Sequence, residues 1–121
     1  MRVVIASRDP SVRSALCRLV RAHDDLNVVG DVSDVSHLPR ILESTSPDLA
    51  LVDLDGPGVL VEDLLAAVRR LDTAPLIFGL SVRATNRTVC MNAGADGFAY
   101  KGDPPDRLLD AIRSGKIHEV K

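Results

Sequence analysis

Three side chains of different chemistry stand directly after three apolar runs of this chain. Asp53 closes Leu49-Ala50-Leu51-Val52, Ser81 follows Leu76-Ile77-Phe78-Gly79-Leu80, and Lys101 follows Gly97-Phe98-Ala99-Tyr100. A further run, Val3-Val4-Ile5-Ala6, leads into Ser7, Arg8 and Asp9, and Asp55 lies just beyond Asp53. A carboxylate, a hydroxyl and an ammonium gathered at one point can hold an anion or handle a phosphoryl group, because charged donors and acceptors make the strongest hydrogen bonds. Strand ends are polar wherever they reach water, which accounts for Asp9 and Asp55. It accounts less well for a carboxylate, a hydroxyl and a lysine at the ends of three adjacent strands.

Such groups meet only if the elements that carry them lie side by side. The β-branched and apolar runs predict strands over Val3–Ala6, Asn27–Val32, Leu49–Leu54, Leu76–Leu80 and Gly97–Tyr100. Between them, apolar residues recur at helical spacing: Val12, Leu16, Leu19 and Val20; Leu64, Leu65, Val68 and Leu71; Val89 and Ala93; Leu108, Leu109 and Ile112. The helix around Leu38, Ile41 and Leu42 is the weakest, since Pro39 must fall in its first turn. Asp9-Pro10 and Asp103-Pro104 each place a capping carboxylate before a proline at the first helical position. Gly94 and Gly115 follow helical stripes, where a left-handed residue ends a helix. Strands alternating with helices through short loops imply a doubly wound parallel sheet of five strands, covered on both faces. In such sheets ligands bind beyond the carboxyl ends of the strands, where Asp53, Ser81 and Lys101 fall.

Composition narrows the function. With 121 residues the chain is one domain, large enough to need no disulfide or metal staple. A net charge of −2 exerts no general pull towards nucleic acid or acidic membranes. No apolar run approaches the ~18 residues of a membrane span. Val3–Ala6 is too short for a signal-peptide core, so a cytoplasmic protein is expected. Cys17 and Cys90 have no Cys-x-x-Cys spacing and are expected to be buried thiols. His23, His37 and His118 lack ligand spacing, so zinc is not expected. There is neither a P-loop nor a Gly-x-Gly-x-x-Gly motif, nor a basic recognition helix for DNA.

Over nearly its whole length the sequence resembles the receiver domains of two-component response regulators, most closely those preceding a helix-turn-helix output domain. The resemblance rests on Arg2-Val3-Val4-Ile5-Ala6 with Pro10-Ser11-Val12-Arg13, on Val28-Val29-Gly30, and on Pro47-Asp48-Leu49-Ala50-Leu51-Val52-Asp53-Leu54-Asp55-Gly56-Pro57-Gly58. It continues in Ala93-Gly94-Ala95-Asp96-Gly97-Phe98-Ala99-Tyr100-Lys101 and the helix from Pro104. It implies a flavodoxin-like sheet of order 2-1-3-4-5, with the domain over 1–115 and a tail or linker start over 116–121. By the same resemblance Asp53 is the phosphoryl acceptor and Lys101 the partner of its phosphate. Ser81 is the switch hydroxyl, and Phe98 the aromatic side chain that changes rotamer with it.

Two positions depart from the family. Receivers carry two adjacent acidic residues after the first strand to hold Mg²⁺, and Ser7 and Arg8 stand there instead. Asp9 falls one place too late and suits a helix cap. Mg²⁺ wants carboxylate oxygens, and what remains near Asp53, Asp55 and Asp9 is a degenerate metal site facing Arg8 and Lys101. No cofactor is expected, and Mg²⁺ only weakly. Gly56 replaces a larger apolar residue and loosens the following loop.

Two mechanisms follow. In one, Arg8 pairs with Asp53, fills the volume of the metal, and leaves an atypical receiver that is not an enzyme and acts through protein–protein contact. In the other, Asp53 is still phosphorylated, Arg8 supplies a fixed cation, and the domain serves a DNA-binding transcriptional regulator. A third, remote alternative is the Asp53/Asp55 motif of a haloacid-dehalogenase-type phosphatase. The partners expected are a protein or the chain's own output domain, a sensor kinase, or a second copy. DNA would be reached only through a separate domain, and no membrane is involved. The resemblance places the interaction surface on the fourth helix, fifth strand and last helix. There Arg107 and Arg113 should matter more than Arg69 and Arg70.

Overall fold

The computed structural model describes residues 1–56 and 58–114. Five parallel strands form one sheet: β1 (Arg2–Ala6), β2 (Asn27–Val32), β3 (Leu49–Asp53), β4 (Leu76–Ser81) and β5 (Gly97–Tyr100). Their order is β2-β1-β3-β4-β5, as the resemblance implies. β3 is buried at every residue, which is why it reads as an unbroken apolar run ending in Asp53. β2 lies at one edge and tolerates Asn27, Gly30 and Asp31.

Four helices connect the strands and a fifth follows β5: α1 (Pro10–Arg21), α2 (Leu38–Thr45), α3 (Val61–Arg69), α4 (Ala84–Asn92) and α5 (Pro105–Ser114). Because side chains alternate along a strand, Val3, Ile5, Leu49, Leu51, Phe78 and Leu80 pack under α1 and α5. Val4, Ala6, Ala50, Val52 and Ile77 face the other way, under α2, α3 and α4. Cys17 and Cys90 are both buried and unlinked, one in each layer. Burial pushes the Cys90 thiol up to about 11. Among the described residues, no helix is long and apolar enough to cross a membrane.

Local signals behaved unevenly. Asp9 caps α1, its Oδ1 accepting from the Ser11 amide at 2.8 Å. Gly94 ends α4 at φ +99°, the left-handed conformation its position called for. Asp103-Pro104 does not open α5 as expected, because the helix begins one residue later, at Pro105. The cause is the second proline, which disfavours helical geometry in the residue before it. A 3-10 turn over Val35–His37, capped by Asp34, precedes α2, an element too short for the hydrophobic pattern to reveal. Gly56 has φ +114°, so glycine there serves a backbone shape that larger residues resist, beyond merely loosening the loop. Gly115 and the 116–121 tail lie outside the described residues.

Candidate functional site

The sheet hydrogen bonding runs one residue past several strand ends, and this sets the backbone of the site. The Ser7 amide donates to Val32 O at 3.1 Å, Leu54 to Leu80 O at 2.8 Å, and Lys101 to Ser81 O at 3.1 Å. Ser7, Asp53, Ser81 and Lys101 are thereby held along one edge of the sheet.

Asp53 is 2% exposed and has both carboxylate oxygens engaged. Oδ1 takes the Lys101 Nζ at 2.7 Å and the Asp55 amide at 2.9 Å. Oδ2 accepts from the Ser7 hydroxyl at 2.6 Å. Lys101 reaches a second carboxylate, with Nζ 2.9 Å from Asp55 Oδ2. Asp55 in turn accepts the Ser81 hydroxyl on Oδ1 at 2.5 Å and the Val82 amide on Oδ2 at 3.0 Å. The Asn86 side-chain amide stands 3.4 Å from Asp55 Oδ1 and 3.1 Å from Ser81 Oγ. Ser81 Oγ also accepts from the Arg83 amide at 2.9 Å.

The charges follow from these contacts. Burial raises the energy of the ionised Asp55 carboxylate, but the Ser81 hydroxyl, Lys101 and the Val82 amide outweigh it and hold the group below its ordinary pKa. Burial likewise disfavours the Lys101 ammonium, and Asp53 and Asp55 overcome that and raise it. A buried carboxylate, a lysine bridging it to a neighbour, and a hydroxyl on the adjacent strand are thus tied into one network.

No family model matches the chain. It is 31% identical over 115 residues to a nitrate/nitrite response regulator protein homolog of Haemophilus influenzae, covering 93% of this chain and 55% of that protein. Identity is 28% over 120 residues with the nitrate/nitrite response regulator NarL of Escherichia coli K12, covering 98% and 56%. Among solved structures, the signal receiver domain of NarL from Mycobacterium tuberculosis superimposes with a TM-score of 0.83 at 25% identity, covering 93% of each chain. A LuxR-family two-component response regulator from Aurantimonas sp. SI85-9A1 gives 0.85 at 26% identity, covering 93% of this chain and 82% of that one. The chain is a response-regulator receiver domain. It spans little more than half the length of these curated relatives.

Within this receiver, Ser7 and Lys101 each bond directly to Asp53. Ser81 is close by but bonded through Asp55. Phe98 is buried, its ring edge-on to Tyr100 with centroids 5.1 Å apart. Arg8 is not where the blocked-pocket mechanism put it, for the salt bridge of Asp53 is with Lys101. The Arg8 side chain is exposed, passes over Gly56, and lines an open cleft with Asp34, Ser36 and Asp63. The Ser36 amide and hydroxyl hold the Asp34 carboxyl below its ordinary range against burial, with His37 and then Arg8 adding smaller through-space contributions. The β1–α1 turn carries the long side chain outwards, while the small Ser7 points in. Asp9 is spent on capping.

Asp55, expected as a polar strand-end residue beside a degenerate metal site, joins Lys101, Ser81, Val82 and Asn86. Its spacing two residues beyond a buried Asp53 was the available signal. Nothing in the sequence pointed to Asn86.

Proposed function

We propose that this receiver is an atypical signalling switch that passes its state to a protein partner or output domain by contact, without Mg²⁺-dependent phosphorylation. The observation that carries this is the saturation of Asp53. Ser7, Lys101 and the Asp55 amide occupy both of its oxygens, and Ser7 and Arg8 supply no carboxylate after β1. The donor set does not suit Mg²⁺. Its two inner carboxylates share one ammonium, and Asp9 is committed to two backbone amides. Among the described residues, no group of three or more His, Cys, Asp or Glu side chains is placed to hold a metal ion.

A second reading has its own support. The Asp53–Lys101 pair at 2.7 Å keeps the acceptor and its cation together, so phosphorylation by a sensor kinase would need only a substitute for the metal's charge. The receiver would then serve a cytoplasmic DNA-binding regulator. Incubation with phosphoramidate, with and without Mg²⁺, followed by intact-mass measurement, separates the two. The first predicts no phosphorylated species under either condition. A product that is lost in Asp53→Asn would establish the second.

The output surface in either case is the face of α4, β5 and α5. Arg83, Ala84, Thr85 and Arg87 are exposed there, and Cys90 is the one fully buried residue of α4. Contact with a sensor kinase, a second copy or an attached DNA-binding domain would use this face.

A further inference from the structure

We infer that Asp55 is a built-in anionic ligand for the receiver's own phosphate-sensing donors, holding the β4–α4 junction in one arrangement whatever the state of Asp53. The inference rests on the chain being a receiver, in which Ser81 and Lys101 answer to a phosphoryl group on Asp53. Here both already answer to another anion. The hydroxyl of Ser81, with its single proton, is donated to Asp55 Oδ1 at 2.5 Å. The Lys101 ammonium and the Val82 amide converge on Oδ2 at 2.9 and 3.0 Å. These donors come from the end of β4, the residue after it, and the residue after β5. The Asp55 carboxylate, placed between the strand ends, satisfies all three.

The junction that follows depends on this carboxylate. Ser81, with its hydroxyl committed to Asp55, accepts the Arg83 amide at 2.9 Å and the Asn86 side chain at 3.1 Å. One carboxylate therefore sets Val82 directly, and Arg83 and Asn86 through Ser81. These residues lead into α4, on the proposed output face. A phosphoryl group on Asp53 could recruit Ser81 only by taking its proton from Asp55, so the junction gains little from phosphorylation.

The test is amide hydrogen exchange of Val82 and Arg83 by NMR in the unaltered chain, Asp55→Asn and Asp53→Asn. Asp55→Asn keeps the shape but presents an N–H₂ to donors, and should speed exchange of both amides by about tenfold or more. Asp53→Asn should not accelerate either. Unchanged protection in Asp55→Asn, or equal acceleration in Asp53→Asn, would overturn the inference. Should Asp55→Asn fail to fold, a scalar coupling across the hydrogen bond from the Val82 amide to the Asp55 carboxylate in the unaltered chain decides. It is expected where sheet couplings are resolved, and its absence refutes. Phosphoramidate treatment keeps the two proposals apart. A phosphorylated receiver whose Val82 and Arg83 amides are unmoved sinks the phosphorylation-independent reading and supports this one, whereas amides that shift with phosphorylation overturn both.

Discussion

Replacing Lys101 with methionine keeps the length of the side chain and removes the ammonium that bridges Asp53 and Asp55. At an effective dielectric of about 20, unit charges ~3 Å apart interact by roughly 5–6 kcal/mol before desolvation is set against it. Lys101 makes two such contacts, at 2.7 and 2.9 Å. Breaking a fully buried pair costs about 3–5 kcal/mol. The Lys101 and Asp55 side chains retain 18% and 19% exposure, so water recovers part of that. The expected loss near pH 7 is therefore about 2–4 kcal/mol, or roughly 10 °C in Tm for a domain of this size. The pH dependence identifies the cause. In the unaltered chain Asp55 titrates below its ordinary 3.8, so its contribution is present above that value and is lost only as pH falls further. In the variant two neighbouring carboxylates lack their cation, and one takes up a proton at higher pH than in the unfolded chain. The penalty should shrink between about pH 7 and pH 4.5. Lys101 itself lies above its ordinary 10.5, so the stability it lends is complete below that value and disappears as pH rises through the folded value. Urea denaturation of both chains at the two acid-side pH values reads the difference directly. A loss below about 1 kcal/mol, the range of surface pairs, or an equal loss at both, would show that Lys101 does not anchor the site.

Replacing Ser7 and Arg8 together by aspartates should restore millimolar Mg²⁺ binding and Mg²⁺-dependent phosphorylation of Asp53, followed by calorimetry and intact mass. An inert double variant would place the defect beyond β1. Gly79→Ala would put a Cβ 2.7 Å from Cys90 Sγ and 2.8 Å from Leu54 Cδ1. Overpacking there should cost about 1–3 kcal/mol in urea denaturation and disturb the neighbouring Asp53 and Asp55 resonances. Asp9→Ala removes the α1 cap and should cost about 1 kcal/mol by the same denaturation assay, with phosphorylation behaviour unchanged. Arg107→Glu should weaken partner binding or self-association more than Arg69→Glu or Arg70→Glu, measured by calorimetry or sedimentation. Arg113 is a poorer probe than the sequence suggested, since it pairs with Asp25 at 3.2 Å beside His23, across to the α1–β2 loop.

The apolar runs and helical stripes determine a doubly wound parallel sheet, because strands buried on both faces leave a plain signature. β5 runs over Gly97–Tyr100 as predicted, and β2 over Asn27–Val32. Cys17 on α1 and Cys90 on α4 lie in separate layers because those helices cover opposite faces of the sheet. Asp53, Ser81 and Lys101 were legible for the same reason, since each closes a strand and strand ends meet at one edge of a parallel sheet. What the sequence could not decide was which partner each polar group takes. Arg8 and Ser7 are neighbours along the chain, yet only Ser7 turns inwards, because the turn before α1 directs alternate side chains to opposite sides. Lys101, distant in sequence, reaches Asp53 instead. The importance of Asp55 was likewise hidden, for its donors come from the end of β4, the residue after β5, and α4, and meet only in the folded chain. Hydrophobic periodicity is a local property that survives in one dimension. A hydrogen-bond network joining the ends of separate strands exists only after the sheet has formed.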